Sequence, residues 1–395
     1  MRRWETEVHP RRLVVLGTLA SDPYAGMAWM HMQIAVGLHR LGHDVNYVEA
    51  TSTWPYDPIR QARVCDSDYA VAYLARVATH FGLRERWAYR RSYSDKAWFG
   101  LSRAAAEDLL AHADAVLNVT GSTYLAKEGL QIGRHVYFGT DPVRHELEFA
   151  KGDGDTRAFI EAYTDCVTYG ENIGTPDCLI PPLPRLRSRT RQPVLLDLWQ
   201  SGPPPRSELT TVCNWRQAGR DIEYAGEVYY WSKHREFLKF IDLPRHISQP
   251  IELAMPLHSL TPDERCLLAS NGWRLANAHV FTTDPWAYRE YVQASRGEFT
   301  VAKDQNVRLR SGWFSERSAC YLAAGRPVVT QDTGFGTVLP TGEGLFAFNT
   351  REDIVAAVEA INANYDRHSR AARGIAEEYF RAETVLAKVL VDLGL

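Results

Sequence analysis

Between Ser311 and Gly336 the chain reads SGWFSERSACYLAAGRPVVTQDTGFG: a loop, a short helix, a buried strand and a second, glycine-bearing loop. Ser315–Ala324 has helical spacing, with Ala319, Leu322 and Ala323 on one face, and Gly325 ends the helix at little cost. The short apolar run Pro327–Thr330, bounded by turn residues, predicts a core strand. Asp332–Gly336 then falls at the carboxyl end of that strand, where open α/β sheets place their ligands.

The start of the chain follows the same grammar. Leu13–Gly17 is a strand, Thr18–Gly26 a loop, and Met27–Leu41 an amphipathic helix with Met30, Ile34, Leu38 and Leu41 on one stripe. Gly42 closes the helix and Asp44–Glu49 is the next strand, a βαβ unit that implies a parallel sheet. Ala115–Thr120 and His135–Thr140 are further strands, and Ser102–His112 is helical. Ile180–Pro193 (IPPLPRLRSRTRQP) is rich in proline and arginine and reads as a hinge. The alternation then restarts, with strands at Val194–Leu198, Thr210–Trp215, Ile251–Ala254, Glu298–Lys303 and Val328–Thr330, and an edge strand at Gly344–Phe348. Asp353–Asn364 and Arg381–Leu393 carry apolar residues at helical spacing. The length of 395 residues exceeds one ordinary core. The expectation is an α/β protein with two Rossmann-like domains, 1–185 and 193–380, around a central cleft.

A formal net charge of −3 argues against a general binder of nucleic acid or membrane surfaces. No segment approaches the roughly 18–20 apolar residues that span a bilayer. The basic start MRRWETEVHPRR leads into a single strand and not into a signal-peptide core. Cys65, Cys166, Cys178, Cys213, Cys266 and Cys320 show no C-x-x-C spacing, which fits reduced thiols in a cytoplasm better than disulfides or a zinc site.

Four stretches resemble one bacterial group of glycosyltransferases of the GT-B fold: PYAGMAWMHMQIAVGLHRLGHDVNYVE, TTVCNW, EYAGEVYYWSKHREF, and the late block from REYVQASRGEFTVAKD to EEYF. The resemblance covers nearly the whole chain. It implies a C-terminal domain that holds a nucleoside diphosphate sugar and an N-terminal domain that holds the acceptor. It also implies that the last helix, within 381–395, crosses back onto the N-terminal domain. The large retaining family of this fold carries a Glu-x7-Glu pair just before the G-x-P-V-V strand. Aligned on Gly325, this chain has Gly312 and Cys320 at those positions, so neither the retaining mechanism nor the usual ribose contact carries over. Glu316 lies between them and can serve locally, but it is not the same pair.

Transfer from such a donor builds charge on the leaving diphosphate. Without a metal, and none is expected, cations and backbone N–H groups at a helix start or glycine loop must neutralise it. Arg317, in the first turn of the predicted helix, and Lys303, at the end of EFTVAK, are the candidate cations; the bland alternative for each is an ion pair. Ser315 either caps the helix or offers its hydroxyl to a phosphate. Asp332, Thr333, Gly334, Phe335 and Gly336 form a sugar- or phosphate-facing loop, or a plain turn in which Asp332 bonds its own backbone. Trp215 stacks on a base or belongs to the core.

In inverting enzymes of this fold the base comes from the loop after the first strand or from its helix, which makes Asp22 and His31 eligible. Their bland readings are a helix-capping aspartate and a satisfied histidine. Asp141, in YFGTDP, is a third candidate, as the base or as the group that orients it. Tyr24, Gly26 and Trp29 are expected to face the acceptor. Asp153-Gly-Asp155 sits in a polar turn and reads as a solvated loop rather than a metal-holding D-x-D, and Gly17–Gly26 lacks G-x-G-x-x-G.

The reading is a metal-independent, cytoplasmic glycosyltransferase. It moves a hexosyl or deoxysugar group from a UDP-, dTDP- or other nucleoside diphosphate sugar to a hydroxyl or amine, in natural-product or glycan biosynthesis. A nucleotide-sugar 2-epimerase of the same fold is one alternative, disfavoured by the aromatic loop around Tyr24 and Trp29. A non-catalytic sugar-nucleotide-binding protein is another, favoured by the missing carboxylate pair.

Overall fold

The computed structural model describes residues 10–395, so the basic opening MRRWETEVH lies outside it. The first sheet contains β1 (Arg12–Leu16), β2 (Asp44–Glu49), β3 (Trp87–Arg90), β4 (Trp98–Gly100), β5 (Ala115–Val119), β6 (His135–Gly139), β7 (Asp165–Thr168) and β8 (Leu186–Arg189). Their order is β8-β7-β6-β5-β1-β2-β3-β4, and only the β3–β4 pairing is antiparallel. The second sheet contains β9 (Leu209–Val212), β10 (Ile251–Met255), β11 (Arg274–Asn277), β12 (Gly297–Thr300), β13 (Val328–Gln331) and β14 (Leu345–Phe348). These run in the order β11-β10-β9-β12-β13-β14, all parallel. Central strands such as Leu13–Leu16, Ala115–Val119 and Val328–Gln331 are buried along their whole length, as strands covered on both faces must be.

Four helices frame the junction between the two sheets: α1 (Ala25–Arg40), α2 (Pro285–Ala294), α3 (Glu316–Ala323) and α4 (Ala382–Leu393). Helix α4 returns to the first sheet and lies against α1. Gly37 permits that approach, since a Cβ there would sit 2.5 Å from Leu386 Cδ1. One apolar cluster runs unbroken from the first sheet to the second, joining Leu13, Trp29, Val194, Tyr288, Phe314 and Leu386. Among the described residues, no helix is long and apolar enough to cross a membrane.

Two expectations are corrected. Val194–Leu198 is not a strand: Val194 makes one bridge to Arg381, and Leu196–Trp199 is a 3₁₀ turn. Its apolar residues fill the seam between the sheets, where Leu195 N and Trp199 Nε1 both donate to Gln33 Oε1 at 3.1 Å. Ile180–Pro193 is not a free hinge, because Leu186–Arg189 inside it is β8. Ser188 points inward there while Arg187 pairs with Asp165 at 2.9 Å. Two short hairpins, Tyr56–Asp57 with Ala62–Arg63 and Ile222–Tyr224 with Glu227–Tyr229, and the helix Tyr365–Tyr379 were not expected.

Gly344, just before β14, has φ +75°, and a Cβ there would meet the backbone nitrogen of Ala372 at 2.3 Å. Gly344→Ala is therefore expected to destabilise the protein by about 2–4 kcal/mol through left-handed strain and overpacking. Urea denaturation measures it, and a loss below about 0.5 kcal/mol, an ordinary surface effect, would refute the close contact.

Candidate functional site

In each sheet the strand order reverses beside a central strand, β1 in the first and β9 in the second. The carboxyl-end loops around these points are where a doubly wound sheet leaves a crevice. In this molecule those loops meet. Lys303, three residues past β12, places Nζ 2.6 Å from Oδ2 of Asp141, which follows β6. Trp313 Nε1 donates to Thr140 O at 3.0 Å, and Asn172 Nδ2 donates to Gly334 O at 2.9 Å. Val143, beside Asp141, has φ +111°, a strained value for a β-branched residue of the kind that clusters at functional sites.

On the second sheet's side of these contacts lies a crevice of about 10 Å³, lined by Lys233, Thr300, Ser315, Thr330, Gln331 and Thr333. That is room for about one water. Lys233 is buried, yet its ammonium makes no hydrogen bond or ion pair with any described residue. Burial, and then the nearby Arg317 and Lys303, push its pKa down to about 7. Ser315 occupies the N-cap of α3 but makes no capping bond, so its hydroxyl is unengaged at the positive end of the helix. One turn in, Ser318 Oγ is buried without a partner. A partnerless cation and the free hydroxyl at an uncapped helix N-terminus line the same crevice, an arrangement suited to an anion.

Arg317 does not join them as a ligand contact. Its Nε meets Glu298 Oε1 at 2.5 Å, Nη1 donates to Val212 O at 2.6 Å, and Nη2 donates to Thr300 Oγ1 at 2.9 Å. Burial opposes its charge, but the Glu298 carboxylate beside it prevails and raises its pKa. The ion-pair reading holds. Lys303 is paired too, though across the cleft; burial lowers its pKa against the pull of Asp141. Glu316 Oε1 accepts from Gln33 Nε2 at 2.9 Å, and burial pushes this carboxyl up to about 7.

The positions of the missing carboxylate pair are physically closed. Gly312 has φ +72° and a Cβ there would lie 2.8 Å from Asn172 N, while Cys320 is fully buried and donates to Glu316 Oε1. In the loop after β13, Asp332 Oδ1 accepts from Gly334 N at 2.7 Å, the plain-turn reading. Thr333 and Phe335 are buried, the one bonded to Trp313 O and the other packed on Phe314. Gly334 turns its carbonyl to Asn172, so this loop is wall more than ligand surface; Gly336 stands exposed at its end.

On the first sheet, His31 is fully buried. Its Nδ1 lies 2.7 Å from Met27 O, and burial pushes its pKa down to about 4, so it is a satisfied core histidine. Trp29 is equally buried, donating to Pro285 O at 2.8 Å, and packs between Phe81 and Trp199 instead of facing an acceptor. Trp215 is 1% exposed and donates to Glu264 Oε1, which places it in the core and away from any base. Asp22 does not cap α1; it pairs with Arg63 Nη2 at 2.6 Å. Tyr24 is exposed and stacked on Tyr56 at 5.4 Å, and the space beside Gly26 is open. Asp141 alone of the three base candidates reaches the second sheet's loops, and its Oδ1 is sheltered without a partner. Asp153 turns out to cap the helix Gly154–Glu161.

Lys233, Asn172 and Trp231 were missed from the sequence. The usable signal was a lysine one residue past the aromatic run YYW and just before a short helix.

No family model and no curated protein sequence matches the chain. Among solved structures it is similar to HepE (Alr3699) of Anabaena. The complex of that protein with UDP and glucose aligns at TM-score 0.55 and 10% identity, over 97% of this chain and 99% of HepE. Its complexes with UDP-glucose and with UDP align at 0.53, with the same identity and coverage. At that identity the likeness concerns the fold: two parallel α/β sheets meeting at their carboxyl edges.

Proposed function

We propose that this chain, which has the GT-B fold, transfers a sugar from a nucleoside diphosphate sugar to an acceptor hydroxyl or amine. The observation that carries the reading is Lys233, a buried cation without an anion, beside the uncapped N-terminus of α3. The diphosphate lies there, held by Lys233, by Ser315 and by the first-turn N–H groups of α3, whose charges replace the need for a metal. The acceptor lies along the open loop Asp22–Gly26, with the Tyr24–Tyr56 pair at its edge. The acceptor oxygen attacks the anomeric carbon, the bond from that carbon to the diphosphate oxygen breaks, and Oδ1 of Asp141 receives the acceptor's proton.

UDP is the first nucleotide to test, because the HepE complexes hold UDP, glucose and UDP-glucose. Calorimetric titration with UDP, dTDP, GDP and ADP, with and without a chelator, checks the reading. Micromolar binding of one of them, indifferent to the chelator, is expected. Failure of all four to bind removes the reading.

A further inference from the structure

Lys303 is a buried cation with one anionic partner. Its side chain is 9% exposed, its Nζ is 2.6 Å from Asp141 Oδ2, and it sits 3.1 Å from the centre of the Trp231 ring. An ammonium in such a place is costly to leave without an anion. The other charges facing it are cationic: Arg220, which also sits over the Trp231 ring, and Lys233 further along the crevice. Among the described residues Asp141 is the one anion bonded to Lys303, and only one of its oxygens is engaged. The residues before Lys303, Val301 and Ala302, are themselves walls of the crevice.

We propose that the donor's diphosphate and Asp141 compete for Lys303, so that the arriving donor takes the ammonium and releases the carboxylate that accepts the acceptor's proton. This rests on the glycosyltransferase reading of the site. A diphosphate carries more negative charge than one carboxylate, and it can meet Lys233 and Lys303 together, whereas Asp141 meets only Lys303. Without donor, Asp141 is neutralised as a placeholder anion. With donor, only ion pairs are exchanged, no covalent bond changes, and both oxygens of Asp141 become available. One cation therefore couples donor binding to readiness of the base, and donor binds before acceptor.

The test uses the full chain and inorganic pyrophosphate, which supplies the diphosphate without base or sugar. Titrations compare wild type, Asp141→Asn, Lys303→Met and the double variant. Asp141→Asn is expected to bind pyrophosphate about tenfold more tightly than wild type, and the same change is expected to do nothing in the Lys303→Met background. Should Asp141→Asn not fold, Asp141→Ser takes its place with the same expectation. Unchanged or weaker binding in the aspartate variant overturns the competition. So does a tightening that survives Lys303→Met, which would reflect loosened domains or general charge removal, and so does an absence of binding to every variant. If the expected pattern appears but no nucleotide sugar is consumed, the competition stands and the glycosyltransferase reading falls. If sugar is transferred while the affinities are equal, the outcome is the reverse.

Discussion

Lys233→Met is expected to weaken UDP binding by about 100-fold and, at the same time, to make the protein more stable. The ligand-free protein buries this ammonium beside Arg317 and Lys303, with no anion bonded to it, and its pKa falls from 10.5 to about 7. In the unfolded chain it is an ordinary lysine. Above pH 10.5 neither state is charged there, and Lys233 costs nothing. Between pH 10.5 and 7 the unfolded chain takes up the proton first, so stability falls as pH falls. Below pH 7 the whole penalty is present, a few kcal/mol at about 1.4 kcal/mol per unit. Methionine keeps the stem and removes the charge, so a gain of about 1–3 kcal/mol is expected at about pH 6, fading towards about pH 10. Binding a diphosphate reverses the shift, so affinity for UDP should decline as pH rises above about 7, with proton uptake on binding. Denaturant titrations across this pH range, beside calorimetry, read both effects. A variant that lost binding and stability together would make Lys233 a structural residue and sink its assignment to the diphosphate.

Arg317→Met should do the opposite and destabilise the protein by about 3–5 kcal/mol, the usual cost of orphaning a buried charge. Its guanidinium holds Glu298, Val212 and Thr300 from three sides, and the Glu298 side chain is 0% exposed with Oε2 already unpartnered. Loss of UDP binding in this variant would report a damaged fold and not a lost phosphate contact. Pairing Arg317→Met with Glu298→Leu should recover most of the stability, since two apolar groups replace two charges. Urea denaturation of the single and double variants decides. A stable Arg317→Met protein that fails only to bind UDP would return Arg317 to the diphosphate.

The elements that could be read from the chain were those whose physics is local. Leu13–Leu16 and Val328–Thr330 announce themselves as short apolar runs, and α1 by its stripe of Met30, Ile34 and Leu38. β8 was hidden because its neighbours are prolines and its outward face is arginine; only pairing with β7 makes it a strand. The site divides in the same way. Asp141 and Lys303 lie just past the carboxyl ends of strands, and the topology brings them into contact. Arg317, Trp215 and Trp29 look equally chemical in the sequence, but each is claimed by a residue from a remote element: Glu298, Glu264 and Pro285. Lys233 is the converse. What marks it is the lack of a partner, and a lack of partners is a property of the folded chain, invisible to any local pattern.

The packing of α4 on α1 also sets a timetable. On a translating ribosome, α1 emerges early, with Gly37 and its apolar surroundings ready for Ala382 and Leu386, which are still unmade. The first sheet can assemble, but one of its covering helices keeps a bare seam until Ala382–Leu393 has been polymerised. A nascent chain stalled before Arg381 would carry that seam into the crowded cell, as a handle for holdase chaperones and a target for quality-control proteases. The later of the two helices is the one that seals the earlier.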